Sequence, residues 1–164
     1  KSLKPAFKAD GTVTAATSSP FSIGASAMLI TSENYAKKNG LKIRAYIEGR
    51  AVAGVNWTMF GSGPIPATAK ALKNTGLSMD DIDVVEINEA FAAQALYCIR
   101  KADWDESKVN LNGGAIALGH PLGISGTRII TTLLNILEQQ DKSTGLATMC
   151  VGTGQGITTI IKRG

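Results

Sequence analysis

Apolar positions recur along this chain with two periods, and the alternation between them predicts the architecture. Residues 82–87, I-D-V-V-E-I, form a short apolar run that reads as a strand. A helix follows at once, with Phe91, Ala95, Cys98 and Ile99 at helical spacing. Pro64 and Pro66 open an earlier helix whose apolar face is Ile65, Ala69 and Leu72, and Gly76 is placed to end it. Ser125 opens another, with Ile129, Leu133, Ile136 and Leu137 on one face. Residues 42–55 read as a long strand bent near Gly49 and Gly54. Ser32 caps a short helix ending near Asn39-Gly40. Residues 109–111 read as a short strand feeding a glycine-rich loop. Residues 146–151 and 157–162 form two more strands, separated by a five-residue glycine turn, so this pair should be antiparallel. Strands alternating with helices predict an α/β fold, a mixed β-sheet with helices packed on its faces. Residues 23–31 are a small-residue apolar segment. Residues 1–16, with a turn at Asp10-Gly11, read as a connector from a preceding region, and residues 17–164 as the domain.

Composition narrows the function classes. A length of 164 residues fits one domain, and 44% hydrophobic residues can bury a core. The net charge of +4 is mild; its basic residues lean toward the N-terminal third and lack the dense stripe with aromatics that nucleic-acid binding calls for. A solvated surface is the plain account of these charges, with steering of an anionic ligand as the alternative. Two cysteines and one histidine make neither a disulfide framework nor a zinc site, so no metal is expected and a reducing, cytoplasmic location fits. No apolar run approaches the ~18 residues of a membrane span. The first residues lack the apolar core of a signal peptide, and the chain begins at Lys1, so it reads as derived from something longer.

Three strand ends carry loops of unusual composition. They are N-E-A-F-A-A-Q at 88–94, N-G-G-A-I-A-L-G-H-P-L-G-I-S-G at 112–126 and C-V-G-T-G-Q-G at 150–156. Sites in α/β sheets form where loops leave strand ends, so Asn88, His120 and Cys150 are candidates to meet. The glycines do not make a phosphate loop. His120-Pro121 stands where Walker A needs Lys-Ser/Thr, and Gly152, Gly154 and Gly156 miss the G-x-G-x-x-G spacing. Each candidate also has an ordinary structural role. His120 could be a satisfied, partly buried histidine, Cys150 a small core residue, and Asn88 a cap for the helix after it. His120 fits less well, lying between a glycine loop and Pro121, and Cys150 less well for ending a strand at a glycine turn. Cys98 fits the core role, being on the apolar face of its helix.

Taken together, these segments resemble the thiolases. N-E-A-F, G-H-P and C-x-G stand here in that family's order, and L-K-P-A-F, D-G-T-V-T-A, A-V-A-G and G-P-I-P-A-T extend the likeness across essentially the whole chain. The resemblance implies a thiolase-like C-terminal domain of an acetyl-CoA C-acetyltransferase, catalysing Claisen condensation of two acyl-CoA or thiolysis of 3-ketoacyl-CoA. It implies that His120 activates a nucleophilic cysteine of the N-terminal half and, with a water held by Asn88, stabilises the thioester oxygen. Cys150 would be the general base for the α-proton, and the Gly152 N–H would hold the acyl-enzyme oxyanion. Such donors typically contribute ~2.7–4 kcal/mol and a positioned base about 10²–10⁴-fold. A free thiol has a pKa near 8.5, so Cys150 would need donors or positive charge to act as thiolate.

By the same resemblance Phe7, Ala15, Ser19, Ala90 and Phe91 line the pantetheine channel. The expected partners are acyl-CoA or CoA, the N-terminal thiolase half, and further copies in a homodimer or homotetramer. No cofactor is expected, because the CoA thioester is substrate. The nucleophile belongs to the N-terminal half, so the chain alone is expected to be inactive. Two departures stand out. T-S-S-P-F-S-I-G at 17–24 replaces the family's N-A-S-G-x-N-D-G, with Pro20 stiffening the loop, and Thr153 stands where many relatives have glycine. Ketoacyl synthases share the fold but use two histidines. The non-enzymatic alternative is a thiolase-like acyl-CoA or lipid-binding module; the intact Asn88, His120 and Cys150 argue against it.

Overall fold

Strands β1 (Ala45–Gly54), β2 (Val84–Ile87), β3 (Thr144–Val151) and β4 (Gln155–Arg163) form one sheet in the order β1-β4-β3-β2. The computed structural model describes residues 3–164; Lys1 and Ser2, the start of the expected connector, lie outside the described residues. β4 runs antiparallel to both β1 and β3, as the short turn requires, while β2 and β3 are parallel. The sheet is therefore mixed. Its helices are α1 (Glu33–Lys38), α2 (Pro64–Thr75), α3 (Ala92–Lys101), α4 (Ala115–Leu118) and α5 (Ser125–Gln139).

Helices cover both faces. On one, Ala71 of α2 and Ala95, Cys98 and Ile99 of α3 pack with Val85, Ile87, Leu146 and Ile160. On the other, Ile129, Leu133, Ile136 and Leu137 of α5 pack with Val84, Ala147 and Ile161. The two faces follow from strand alternation: neighbouring residues such as Leu146 and Ala147 point to opposite sides. Two predicted boundaries carry their caps. Ser32 Oγ accepts the Tyr35 N–H at 3.2 Å, and Gly76 ends α2 in the left-handed conformation at φ 72°.

Other expectations are corrected. The face of α2 against the sheet is Ala67, Thr68 and Ala71; Ala69 is exposed, and Ile65 and Leu72 are only partly buried. Small residues win because α2 starts in backbone contact with β4, where a Cβ on Gly156 would collide with Gly63. Residues 109–111 make only a single bridge, Val85 to Val109. Asn110 turns out of the strand at φ 49° and spends its side chain on Ile87, accepting that residue's N–H at 2.8 Å and donating to its carbonyl at 2.9 Å. The bend expected in β1 is a bulge between Ile47 and Gly49, at a point where a side chain on Gly49 would strike Thr75. The short helix α4 and the 3-10 turn Trp57–Ser62 carry no pattern that the sequence reading detected.

Residues 23–31 belong to none of these layers. Ile23, Leu29 and Ile30 are exposed, as is Phe21 before them. Their apolar side chains have no covering element among the described residues.

Candidate active site

The parallel pairing of β2 and β3 delivers two of the candidates to one end of the sheet. Ile87 pairs with Thr148, and the Asn88 N–H continues the ladder onto the Thr148 carbonyl at 2.9 Å. Cys150 follows two residues later on β3. Asn88 is fully buried and Cys150 is 9% exposed. The glycine loop then returns His120 to the same end: Asn88 Nδ2 lies 3.4 Å from His120 Nε2. Asn88 does not cap the following helix. That N-cap is Phe91, with no side-chain bond, because the chain makes three more residues of loop before α3 begins.

The loop bearing His120 is built on Glu89. Its carboxylate accepts the Ile116 N–H at 3.1 Å and the Asn110 amide at 3.0 Å. Gly114 lies directly over that carboxylate, where any Cβ would collide with it. Gly119 adopts φ 99°, turning the chain into His120. Across the ring, His120 Nδ1 meets Ser125 Oγ at 2.6 Å, and Ser125 donates to the Pro121 carbonyl at 3.0 Å. Burial, assisted by the positive charge of Arg128, holds the imidazole below the usual histidine range and favours its neutral form. A neutral ring at neutral pH can act as a base.

Glu86 lies beneath this end of the sheet, 1% exposed. Burial pushes its carboxyl up to about 8, against the opposing pull of Arg128, while Glu89 pushes the same way as burial.

Cys150 sits in a different setting. Burial pushes its thiol up, with its own backbone N–H as the opposing influence. The resting group is therefore a thiol, which can give a proton; taking one requires help from a bound molecule or partner. Gly152, two residues on, has no atom within 4 Å of where a Cβ would stand, so nothing in the described packing explains a glycine there. Thr153 takes φ 72° without being glycine, a strained choice for a β-branched residue. Gly154 follows at φ 104°, its Cβ position 2.6 Å from the Val55 carbonyl.

The expected channel residues divide. Ser19, Ala90 and Phe91 come together: Ser19 N–H and Oγ both reach the Ala90 carbonyl at 3.1 Å, and Ser18 bridges to Phe91. The Ser19 proton is thus used within the chain. Phe7 is 78% exposed and Ala15 lies in an exposed 3-10 turn, and no hydrogen bond ties either to the Ser19 group. Cys98 is a core residue, with its Sγ on the Gly61 carbonyl at 3.2 Å and its thiol pushed up to about 11 by burial. Sequence reasoning missed Glu89, Gly114 and Ser125 as parts of the site. The signal for each lay inside the quoted motifs, in the acid of N-E-A-F, the second glycine of N-G-G and the serine five residues after His120. Among the described residues no cluster of three potential metal ligands occurs, and no helix is long and apolar enough to cross a membrane.

A mixed sheet that brings a buried amide and a neutral histidine into contact at the end where a strand carries a buried thiol defines an α/β protein with titratable groups gathered at its strand ends. The comparisons with known proteins name the class. A sequence model of the thiolase C-terminal domain matches residues 41–163, and one of the thiolase N-terminal domain matches residues 1–34. The 3-ketoacyl-CoA thiolase of Vibrio cholerae is 62% identical over 98% of this chain. The crystal structure of human mitochondrial 3-ketoacyl-CoA thiolase in complex with CoA superposes with a TM-score of 0.98 at 48% identity, over 99% of this chain and 41% of that one. The Bacillus anthracis acetyl-CoA acetyltransferase gives 0.97 at 43% identity, again over 99% of this chain and 41% of that one. The chain belongs to the thiolase family. It spans 43% of the length of its Vibrio cholerae relative.

Proposed function

We propose that this chain supplies the C-terminal part of a thiolase active site, acting on acyl-CoA thioesters. The observation that carries the proposal is the buried Asn88–His120 contact at the strand end beside Cys150. His120, neutral through burial, takes the proton of a nucleophilic cysteine carried by an N-terminal thiolase domain, and that cysteine is acylated. Asn88, through a water, and His120, whose Nε2 keeps the cysteine's proton as CoA departs as its thiolate, then stabilise the enolate oxygen of the second acyl-CoA. Cys150 takes the α-proton in condensation and returns it in cleavage. Its raised thiol suits the cleavage direction directly, since a thiol is the acid form. The Gly152 N–H holds the acyl-enzyme oxyanion, and the open space at Gly152 supports an approach by substrate. The CoA thioester is the substrate, and no resident cofactor is invoked.

Ser19, Ala90 and Phe91 form one wall of the pantetheine channel, with Phe7 and Ala15 joining it in the assembled protein. The N-terminal domain is the partner for residues 21–30, whose side chains Phe21, Ile23, Leu29 and Ile30 stand uncovered within a segment that matches the N-terminal domain model. Homo-oligomerisation of the assembled enzyme follows the family pattern.

The test is thiolysis of a 3-ketoacyl-CoA, followed by loss of its absorbance. The 164-residue polypeptide alone should not turn over, because Cys98 is a buried, hydrogen-bonded thiol and Cys150 is the proposed base. Assembled with a thiolase N-terminal domain, it should. Binding of CoA without any turnover in that assembly would favour the alternative, a thiolase-like acyl-CoA-binding module.

A further inference from the structure

Ser125 begins α5 and is fully buried. Its hydroxyl oxygen lies 2.6 Å from His120 Nδ1 and 3.0 Å from the Pro121 carbonyl. A hydroxyl has one proton to give, and a carbonyl can only accept. With the Ser125 proton on Pro121, the short contact to the ring draws its proton from Nδ1. On the far side of the ring, Nε2 faces Asn88 Nδ2 at 3.4 Å, a group that can only donate. The serine side puts the proton of a neutral ring on Nδ1, and the Asn88 amide, whose Oδ1 has no partner among the described residues, complements that form when its Nδ2 faces the bare Nε2. That form is neutral, carries its proton on Nδ1 and keeps the lone pair on Nε2. The imidazolium and the opposite tautomer would each set an N–H at Nε2 against the amide N–H. The opposite tautomer would also leave Nδ1 and Pro121 competing for the single serine proton. Burial of the ring acts in the same sense by disfavouring the charged form.

We propose that Ser125 is the positioning residue that holds His120 as the neutral Nδ1–H tautomer, so that the Nε2 lone pair faces the thiol it deprotonates. The assignment of that thiol rests on the function proposed above; the tautomer does not. Ser125 does for this ring what a carboxylate does in a Ser-His-Asp triad, fixing tautomer and orientation, but without adding a negative charge. The consequence is a weaker base whose pKa stays low. Ser125 reaches substrate only through His120.

The experiment uses the chain assembled with a thiolase N-terminal domain, labelled with ¹⁵N-histidine. Two-bond ¹⁵N–¹H correlation spectra distinguish protonated from bare ring nitrogens, and the His120 signals are those lost in His120→Gln. The expected result is a protonated Nδ1 and a bare Nε2. Ser125→Ala should shift the ring toward Nε2–H and slow acyl-enzyme formation about ten-fold, the scale of one hydrogen bond. Ser125→Thr, which keeps the hydroxyl, should restore both readouts. A parent spectrum with Nε2 protonated, and the Asn88 amide turned over to accept from it, would overturn the proposal, as would Ser125→Ala with the parent's tautomer. If Ser125→Ala does not fold, the parent spectrum decides alone. A parent with the expected tautomer but no acyl-enzyme would contradict the thiolase function and leave the Ser125 assignment standing.

Discussion

The loop that carries His120 and the turn that follows Cys150 are both built with glycine, and Gly114 in the first and Gly152 in the second stand in opposite surroundings. At Gly114 the chain itself fills the space, because the Glu89 carboxylate lies where a Cβ would go and holds the loop through Ile116 and Asn110. At Gly152 the space is open and no neighbour comes within 4 Å. The first loop is satisfied by its own contacts and positions the His120 imidazole. The second is left exposed beside a buried thiol, and no contact among the described residues accounts for its glycine. A glycine inside a motif can therefore be structural or functional, and the difference is what a Cβ would meet.

The sharpest way to break this comparison is to add that Cβ at both places. Gly152→Ala should leave the melting temperature of the assembled enzyme unchanged and lower turnover on the order of 10²-fold, the scale of a small misplacement of reacting groups. Gly114→Ala should do the reverse first, destabilising by about 1–3 kcal/mol through overpacking against Glu89. For a chain of this size that lowers the melting temperature by roughly 2–4 °C per kcal/mol. Equal stability losses at both positions would remove the distinction.

The polar side of the site also carries a pH signature that the Cys150 side lacks at neutral pH. Glu86 keeps its proton in the folded chain up to about pH 8, whereas the unfolded chain ionises it near the ordinary value of 4.5. Between those values the folded state binds the extra proton, so Glu86 makes stability fall as pH rises through that window. Melting temperatures at pH 5 and pH 8 should show this decline, and Glu86→Gln should flatten it. A decline of the same size in the variant would assign the effect elsewhere. The smallest expected effect is at Thr153. Left-handed backbone at a β-branched residue costs on the order of 1–3 kcal/mol, part of which glycine's entropy would offset. Thr153→Gly should thus raise stability by up to about 1 kcal/mol, read from chemical denaturation; a loss would show that the threonine's contacts outweigh its strain.

The sequence made most of this architecture legible because the apolar periods are strong where burial is deep. Ile129, Leu133, Ile136 and Leu137 sit on one face of α5 as their spacing predicts, and the 150–156 turn forces the β3–β4 pairing. It was misleading where small residues decide packing. Ala67, Thr68 and Ala71 outcompete Ile65 and Leu72 because α2 begins in backbone contact with β4, a close approach that no hydrophobicity pattern records. Asn110 likewise ended an expected strand with its side chain, which alternation cannot reveal. Asn88 and His120 were found through motifs at strand ends, and the structure brings them into contact. Their supports, Glu89 and Ser125, stand inside the same motifs, but their roles rest on long-range or tautomer-dependent hydrogen bonds that only the fold reveals. Residues 23–31 show the remaining limit: an apolar pattern marks a segment for burial without naming what buries it.

The account stands most directly on Cys150 as the group that moves the α-proton. In the assembled enzyme, Cys150→Ala is combined with intact mass for acyl-enzyme and with deuterium uptake into the α-position of acetyl-CoA. Acyl-enzyme should still form, because that step needs His120, while deuterium exchange and condensation should be lost. Exchange at the parent rate in Cys150→Ala would contradict the account and leave Cys150 a packed thiol at the end of a strand.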